Sequence, residues 1–193
     1  MNFKSLLKKN RHLYDWGLCI RTLLIPNRFD HLRLLKKFDL LSLDETLKSL
    51  GSISSSPTFV KIGANDGVTA DPCGRFFLQH RNWKGLLVEP VGYCMKNLKK
   101  IYSDHGRFIF QQCAIGREEC TQPFYFLDEN AKDVLVELPD WYDQLGSFSR
   151  SHITKHFSYS VENFIKEIMV EVVPLGTILK RCKISHVSFL HID

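Results

Sequence analysis

Apolar residues change their spacing along this chain, and the changes divide it into segments. Up to residue 50, Phe3, Leu6, Leu7, Leu13 and Tyr14, and then Leu32, Leu35 and Phe38, recur at roughly helical intervals. Pro26-Asn27 interrupts the pattern, so a helix should end just before it. Ser42-Leu43-Asp44-Glu45 has the form of a capping box, which predicts a short helix over residues 43–50 with Gly51 as its left-handed stop. Residues 52–57 are polar and read as the boundary between a helical extension, residues 1–51, and a domain, residues 52–193.

Beyond that boundary the pattern is of short apolar runs alternating with helical spacing. Thr58-Phe59-Val60-Lys61-Ile62 reads as a strand, broken by Gly63-Ala64-Asn65-Asp66-Gly67, and Gly85-Leu86-Leu87-Val88-Glu89-Pro90 reads as the next. Asp71-Pro72 opens a predicted helix that reaches His80. Met95, Leu98, Ile101 and Tyr102 predict another over residues 93–102, and residues 108–113 form a third strand. Strands alternating with helices argue for parallel, right-handed crossovers.

The order then changes. Residues 123–127 and 168–173 look like strands, and the polar, aromatic stretch between them, residues 128–167, contains a predicted helix over residues 149–156. It reads as an insertion above the active face, where loops commonly carry substrate contacts. A short helix over residues 177–182 and a last strand over residues 187–193 follow.

The turn carries the first chemical signal. A strand that feeds a glycine turn and then a helix aims free backbone N–H groups and the positive helix end at the space above the sheet. Gly63 and Gly67 let the backbone approach a ligand where a Cβ would collide. Glu89 ends the next strand 22 residues beyond Gly67, where a Rossmann-like unit places the acid that accepts hydrogen bonds from a ribose diol. These features predict an adenosine-type ligand at the carboxyl ends of parallel strands.

Composition narrows the class. No apolar run approaches the roughly 18–20 residues that span a bilayer, and the basic start lacks the apolar core of a secretory signal, so a cytoplasmic protein is expected. The cysteines at 19, 73, 94, 113, 120 and 182 form no C-x-x-C pair, which points to reduced thiols and away from a zinc knuckle or a disulfide framework. Residues 1–50 hold ten Lys or Arg against five Asp or Glu, and residues 51–193 hold sixteen of each, so the whole net charge of +5 lies in the first fifty. The charges there are interspersed, as on a solvated helical face; contact with an anionic membrane surface or an acidic partner is the alternative, and no nucleic acid is expected.

The run from Phe59 through Gly67, then Trp83-Lys84-Gly85-Leu86-Leu87-Val88-Glu89-Pro90, and finally Leu190-His191-Ile192-Asp193 resemble the FkbM family of S-adenosylmethionine-dependent methyltransferases. The resemblance covers residue 57 onwards. It implies a class I methyltransferase fold, a Rossmann-like three-layer α/β/α sheet, and methyl transfer from S-adenosylmethionine to a hydroxyl of a sugar, glycan or natural product. By that resemblance Gly63, Asn65, Asp66 and Gly67 hold the methionine part of the cofactor, Glu89 the ribose, and Cys113 and Ala114 line the adenine pocket. Asp193 matches the acid after the fourth core strand, beside the transferred methyl. Lys61 stands where the family usually has Glu or Asp, so a carboxylate that braces the turn is expected to be missing. Family members continue beyond the residue equivalent to Asp193 with a Glu-Gly pair and about three more strands, so the sheet is expected to be incomplete and the chain a fragment.

A hydroxyl acceptor needs its proton removed, and the candidates for that base are Asp193 and His152, then His156 and His191. His152 and His156 are four apart, as a metal pair on a helix would be, but no third ligand has suitable spacing and no metal is expected. Two other readings remain: an inactive remnant or interaction module whose basic helices dock a partner, and a nicotinamide-dependent oxidoreductase, which would want a G-x-G-x-x-G turn.

Overall fold

A computed structural model describes residues 42–69, 71–103 and 106–193. The basic arm and its expected helices, before residue 42, lie outside the described residues. Leu50–Asp193 forms one compact unit.

Helix α1 (Leu43–Ile53) starts with the expected reciprocal cap: the Ser42 N–H donates to Glu45 Oε2 at 2.8 Å and the Glu45 N–H to Ser42 Oγ at 3.2 Å. It does not stop at Gly51. The backbone there is not left-handed, and the helix runs on to Ile53. The glycine is needed for space: a Cβ on Gly51 would lie 2.9 Å from Nε1 of the buried Trp83.

β1 (Thr58–Ile62), β2 (Lys84–Val88), β3 (Phe108–Gln111) and β7 (Phe189–Ile192) form a parallel sheet in the order β3-β2-β1-β7. Helices α2 (Gly74–Gln79) and α3 (Gly92–Ile101) are the crossovers between β1, β2 and β3. This is the parallel α/β arrangement of a Rossmann-like methyltransferase sheet. Alternation in β1 sends Phe59 and Lys61 to one face and Val60 and Ile62 to the other. Phe59 stacks on Phe77 of α2 with centroids 3.8 Å apart, and its ring lies over Gly85, its partner in register. A Cβ on Gly85 would sit 2.2 Å from that ring, which explains a glycine inside a buried strand. Trp83 closes this face edge-on to Phe76 and Phe77. Arg107 donates to the carbonyls of His80 and Trp83, both at 3.2 Å, tying the end of α2 to β3. On the other face Val60, Leu86, Val88 and Cys113 pack with Val173 and with Ile178 of α6 (Leu175–Arg181).

Between β3 and β7 the chain builds a second, small sheet. β4 (Ala114–Ile115) lies parallel to β6 (Ile165–Val173), and β5 (Cys120–Leu127) runs antiparallel to β6 over eight pairs, from Cys120↔Val172 to Leu127↔Ile165. Residues 128–164 are therefore a long excursion at one end of a hairpin. It holds α4 (Ala131–Val134), the 3-10 turns Tyr142–Gln144 and Glu162–Phe164, and α5 (Arg150–Thr154), and it has its own core around Leu127, Leu138, Leu145, Ile153, Val161 and Ile165. β5 is an edge strand, which is why it tolerates Pro123.

Candidate active site

β1 ends in three left-handed residues within five: Gly63 (φ 69°), Asn65 (φ 46°) and Gly67 (φ 80°). The N–H groups of Gly63 and Ala64 both donate to the Val88 carbonyl at 3.0 Å, which holds the turn against the end of β2. Glu89 holds it from the other side. Its Oε2 accepts the Asn65 N–H at 2.9 Å and its Oε1 the Val91 N–H at 2.8 Å, while the side chain is only 6% exposed. Burial pushes the Glu89 carboxyl above its ordinary range, against the two amides that stabilise its charged form, and the nearby Asp143 adds to the upward push.

The turn and Glu89 form one wall of a cavity of about 600 Å³ at the carboxyl ends of β1, β2 and β7. Val88, Pro90, Val91, Cys113, Ala114 and Phe124 make an apolar side, and the excursion covers it with Trp141, Asp143, Ser147, Phe148 and His156. The Cys113 thiol is pushed up to about 11, chiefly by burial, so it is a neutral apolar surface there. Gln144 Nε2 donates to the Thr69 carbonyl at 3.2 Å and fastens the excursion to the turn. The Asn65 amide nitrogen and oxygen and Asp143 Oδ1 are buried with no hydrogen-bond partner among the described residues. The Asp143 carboxyl is also raised, first by burial and then by Asp66, with the Asn65 side chain opposing. The Asn65 and Asp143 side chains therefore face each other and set a polar pair into the cavity wall.

Several expected site residues stand at this cavity: Gly63, Asn65, Glu89, Cys113, Ala114 and Asp193. Others do not. The carboxylate of Asp66 faces its own loop, accepting the N–H groups of Val68 and Thr69 and the Thr69 hydroxyl at 2.7–2.9 Å. Gly67 faces α3, where a Cβ would lie 2.5 Å from Leu98 Cδ1 and 2.6 Å from Tyr102 Cε2. Its glycine is a packing requirement with a left-handed backbone. Gly67→Ala is expected to lower stability by roughly 2 kcal/mol, read as an urea midpoint shift. His152 lies outside the cavity on α5, its ring 5.0 Å from that of His156, and burial and Lys155 lower its basicity. Of the two, His156 is the one that lines the cavity.

His191 is also elsewhere. It is the cross-strand neighbour of Lys61, and its Nδ1 is buried without a partner among the described residues. Ligand-type atoms of Asp71, Cys73 and His191 fall within 4.8 Å of one another there. The ammonium of Lys61 already pairs with Asp71 in that cluster, both side chains nearly fully buried, so the group contains its own cation. Asp71 also accepts the Cys73 N–H at 2.9 Å. Asp71 thus answers Lys61 inside the fold and does not reach the turn, whose carboxylate contact is the Glu89 bond to the Asn65 N–H.

A match to the methyltransferase FkbM domain extends over residues 61–193, taking in every residue of the cavity and both sheets apart from the first three residues of β1. The chain belongs to the FkbM methyltransferase family. No curated protein and no solved structure gives a match. Membership makes the protein a methyltransferase in general terms and gives the cavity its chemical context. Asp143 and Asn65, the polar pair in the cavity wall, come from two segments 78 residues apart, numbering from 65 to 143. Sequence reading found the first through the turn. It missed Asp143, because one acid in a polar aromatic stretch carries no spacing signal. No helix among the described residues is long and apolar enough to cross a membrane.

Proposed function

We propose that the protein is an S-adenosylmethionine-dependent O-methyltransferase acting on a hydroxyl of a sugar, glycan or natural product, in a cytoplasmic setting. The observation that carries the reading is the cavity at the strand ends, with Glu89 fixed by two amides and the Asn65–Asp143 pair beside it. S-adenosylmethionine supplies an electrophilic methyl group on a sulfonium, which needs alignment and dryness more than acid catalysis. Glu89 keeps lone pairs free on both oxygens for a ribose diol. Val88, Cys113 and Ala114 offer an apolar wall to a flat base, and Asn65 and Asp143 offer a donor and acceptors to an amino-acid end. His156 and Asp193 are the cavity groups within which a hydroxyl proton can be received. The absence of disulfides among the five described cysteines supports a reducing compartment.

Isothermal titration with S-adenosylhomocysteine tests the reading, with micromolar binding expected; no binding at millimolar ligand would overturn it and favour the non-catalytic alternative. Asp143 gives a sharper measurement. S-adenosylmethionine carries a sulfonium charge that S-adenosylhomocysteine lacks, so Asp143→Asn is expected to shrink the preference for the charged ligand by about fivefold, near 1 kcal/mol. The pH dependence has a definite sign. Both Glu89 and Asp143 are raised in the folded protein, so the unfolded chain gives up these protons first as pH rises. Their contribution to stability is thus present at low pH and lost on going up through the carboxylate range and past the raised folded values. The ligand-free protein should gain thermal stability from these two groups on acidification from neutral pH into the carboxylate range, and Asp143→Asn should flatten that gain.

A further inference from the structure

The mouth of the cavity is aromatic and carries one sign of charge. Trp141 and Phe148 line it although each is 41% exposed. Both rings are backed. Trp141 lies nearly parallel to Phe157, with centroids 6.3 Å apart and planes 16° apart, and meets His156 edge-on. Phe148 stands edge-on to the buried Phe124 at 5.1 Å. Both rings thus have aromatic neighbours and still keep apolar area in water at the cavity, which a bound molecule would cover.

The charges of the lining are Glu89, Asp143 and Asp193, with His156 as the basic group and neither Lys nor Arg among them. Lys61 lies behind the turn with its charge taken by Asp71. An entering carboxylate or phosphate would therefore meet three acidic side chains in a partly desolvated space with no Lys or Arg to pair with, the donor's sulfonium and ammonium being the other cations there.

We propose that the acceptor is an uncharged, sugar-type ring alcohol laid with its apolar ring face on Trp141 and Phe148, and that the acidic lining rejects ring alcohols carrying a carboxylate or phosphate. The proposal rests on the methyltransferase reading above and adds to it the charge and shape of the acceptor. Trp141 and Phe148 are thus specificity residues, and they act on acceptor binding independently of the methyl donor.

Saturation-transfer NMR tests it directly, using methyl α-glucopyranoside, methyl α-mannopyranoside and methyl α-fucopyranoside as neutral probes. Methyl α-glucuronide and glucose 6-phosphate are the anionic ones, and all are measured with and without S-adenosylhomocysteine. At least one neutral probe should give transfer that drops about fivefold in Trp141→Ala and in Phe148→Ala, while the anionic probes give little. Trp141→Leu and Phe148→Leu guard against misfolding, and an unchanged thermal unfolding midpoint in each variant confirms an intact fold. Equal transfer from neutral and anionic probes, transfer indifferent to both aromatic substitutions, or no neutral transfer in a protein that binds S-adenosylhomocysteine would each overturn the proposal and leave the methyltransferase reading standing. Failure of the wild-type protein to bind S-adenosylhomocysteine would instead remove the reading beneath it.

Discussion

Replacing Glu89 with alanine is expected to weaken S-adenosylhomocysteine binding by about 100-fold or more, and to lower the stability of the ligand-free protein by roughly 2–4 kcal/mol. The side chain is buried and each carboxylate oxygen accepts a backbone N–H, one from Asn65 within the turn and one from Val91 at the start of α3. Alanine leaves both backbone donors without their carboxylate partner. It also removes the remaining lone pairs that face the cavity. Glu89→Gln separates the two effects: it has one oxygen acceptor and presents an amide N–H where a second donor already points. An intermediate loss of stability with a binding loss nearly as large as that of alanine is the expected outcome. Titration calorimetry and urea unfolding together measure both quantities. An alanine variant that keeps its affinity within threefold would remove Glu89 from the ligand's contacts.

Lys61→Glu should be among the most damaging single changes in the domain, costing about 3–5 kcal/mol and leaving little folded protein. From the sequence alone a glutamate at this position looks restorative, since the family usually has an acid there. In the fold, Lys61 and Asp71 form an ion pair in which both side chains are nearly fully buried. Glutamate would place two carboxylates together with no cation, while Asp71 is also engaged by the Cys73 N–H. A neutral pair of similar size behaves differently: Lys61→Met with Asp71→Asn removes both buried charges together and should recover most of the loss. The double-mutant cycle, read by thermal unfolding, checks this. Additive losses in Lys61→Met, Asp71→Asn and the double variant would show that the two side chains are energetically independent.

The outline of the fold was legible because it rests on local pattern. Apolar runs at residues 58–62 and 85–88, with a glycine turn between them, leave few alternatives to a strand, a turn and a crossover. The capping box at Ser42 and Glu45 reads directly because a cap needs only residues three apart. Where glycine was read, chemistry and packing became confused. Gly51 looked like a helix stop and is a clearance for Trp83; Gly67 looked like a ligand contact and is a clearance for Leu98 and Tyr102. One sequence signal, a missing Cβ, serves a left-handed turn, a helix packed close and a bound ligand alike, and only the neighbour in space distinguishes them.

The same division holds at the candidate site. The sequence by itself determined the parallel sheet, the turn at residues 63–67 and the acid at position 89, since each follows from residues within one strand-turn-helix unit. The tertiary structure decided that Lys61 is paired with Asp71, that Asp143 faces Asn65, and that His156 lines the cavity while His152 and His191 do not. It also decided that Trp141 and Phe148 stand at the mouth. The physical reason is that these positions depend on how a 37-residue excursion, residues 128–164, folds back from the β5–β6 hairpin. Its path is set by its own apolar core around Leu138, Leu145 and Ile153 and by the Gln144 contact to the turn, interactions between residues far apart in the chain that no local spacing encodes.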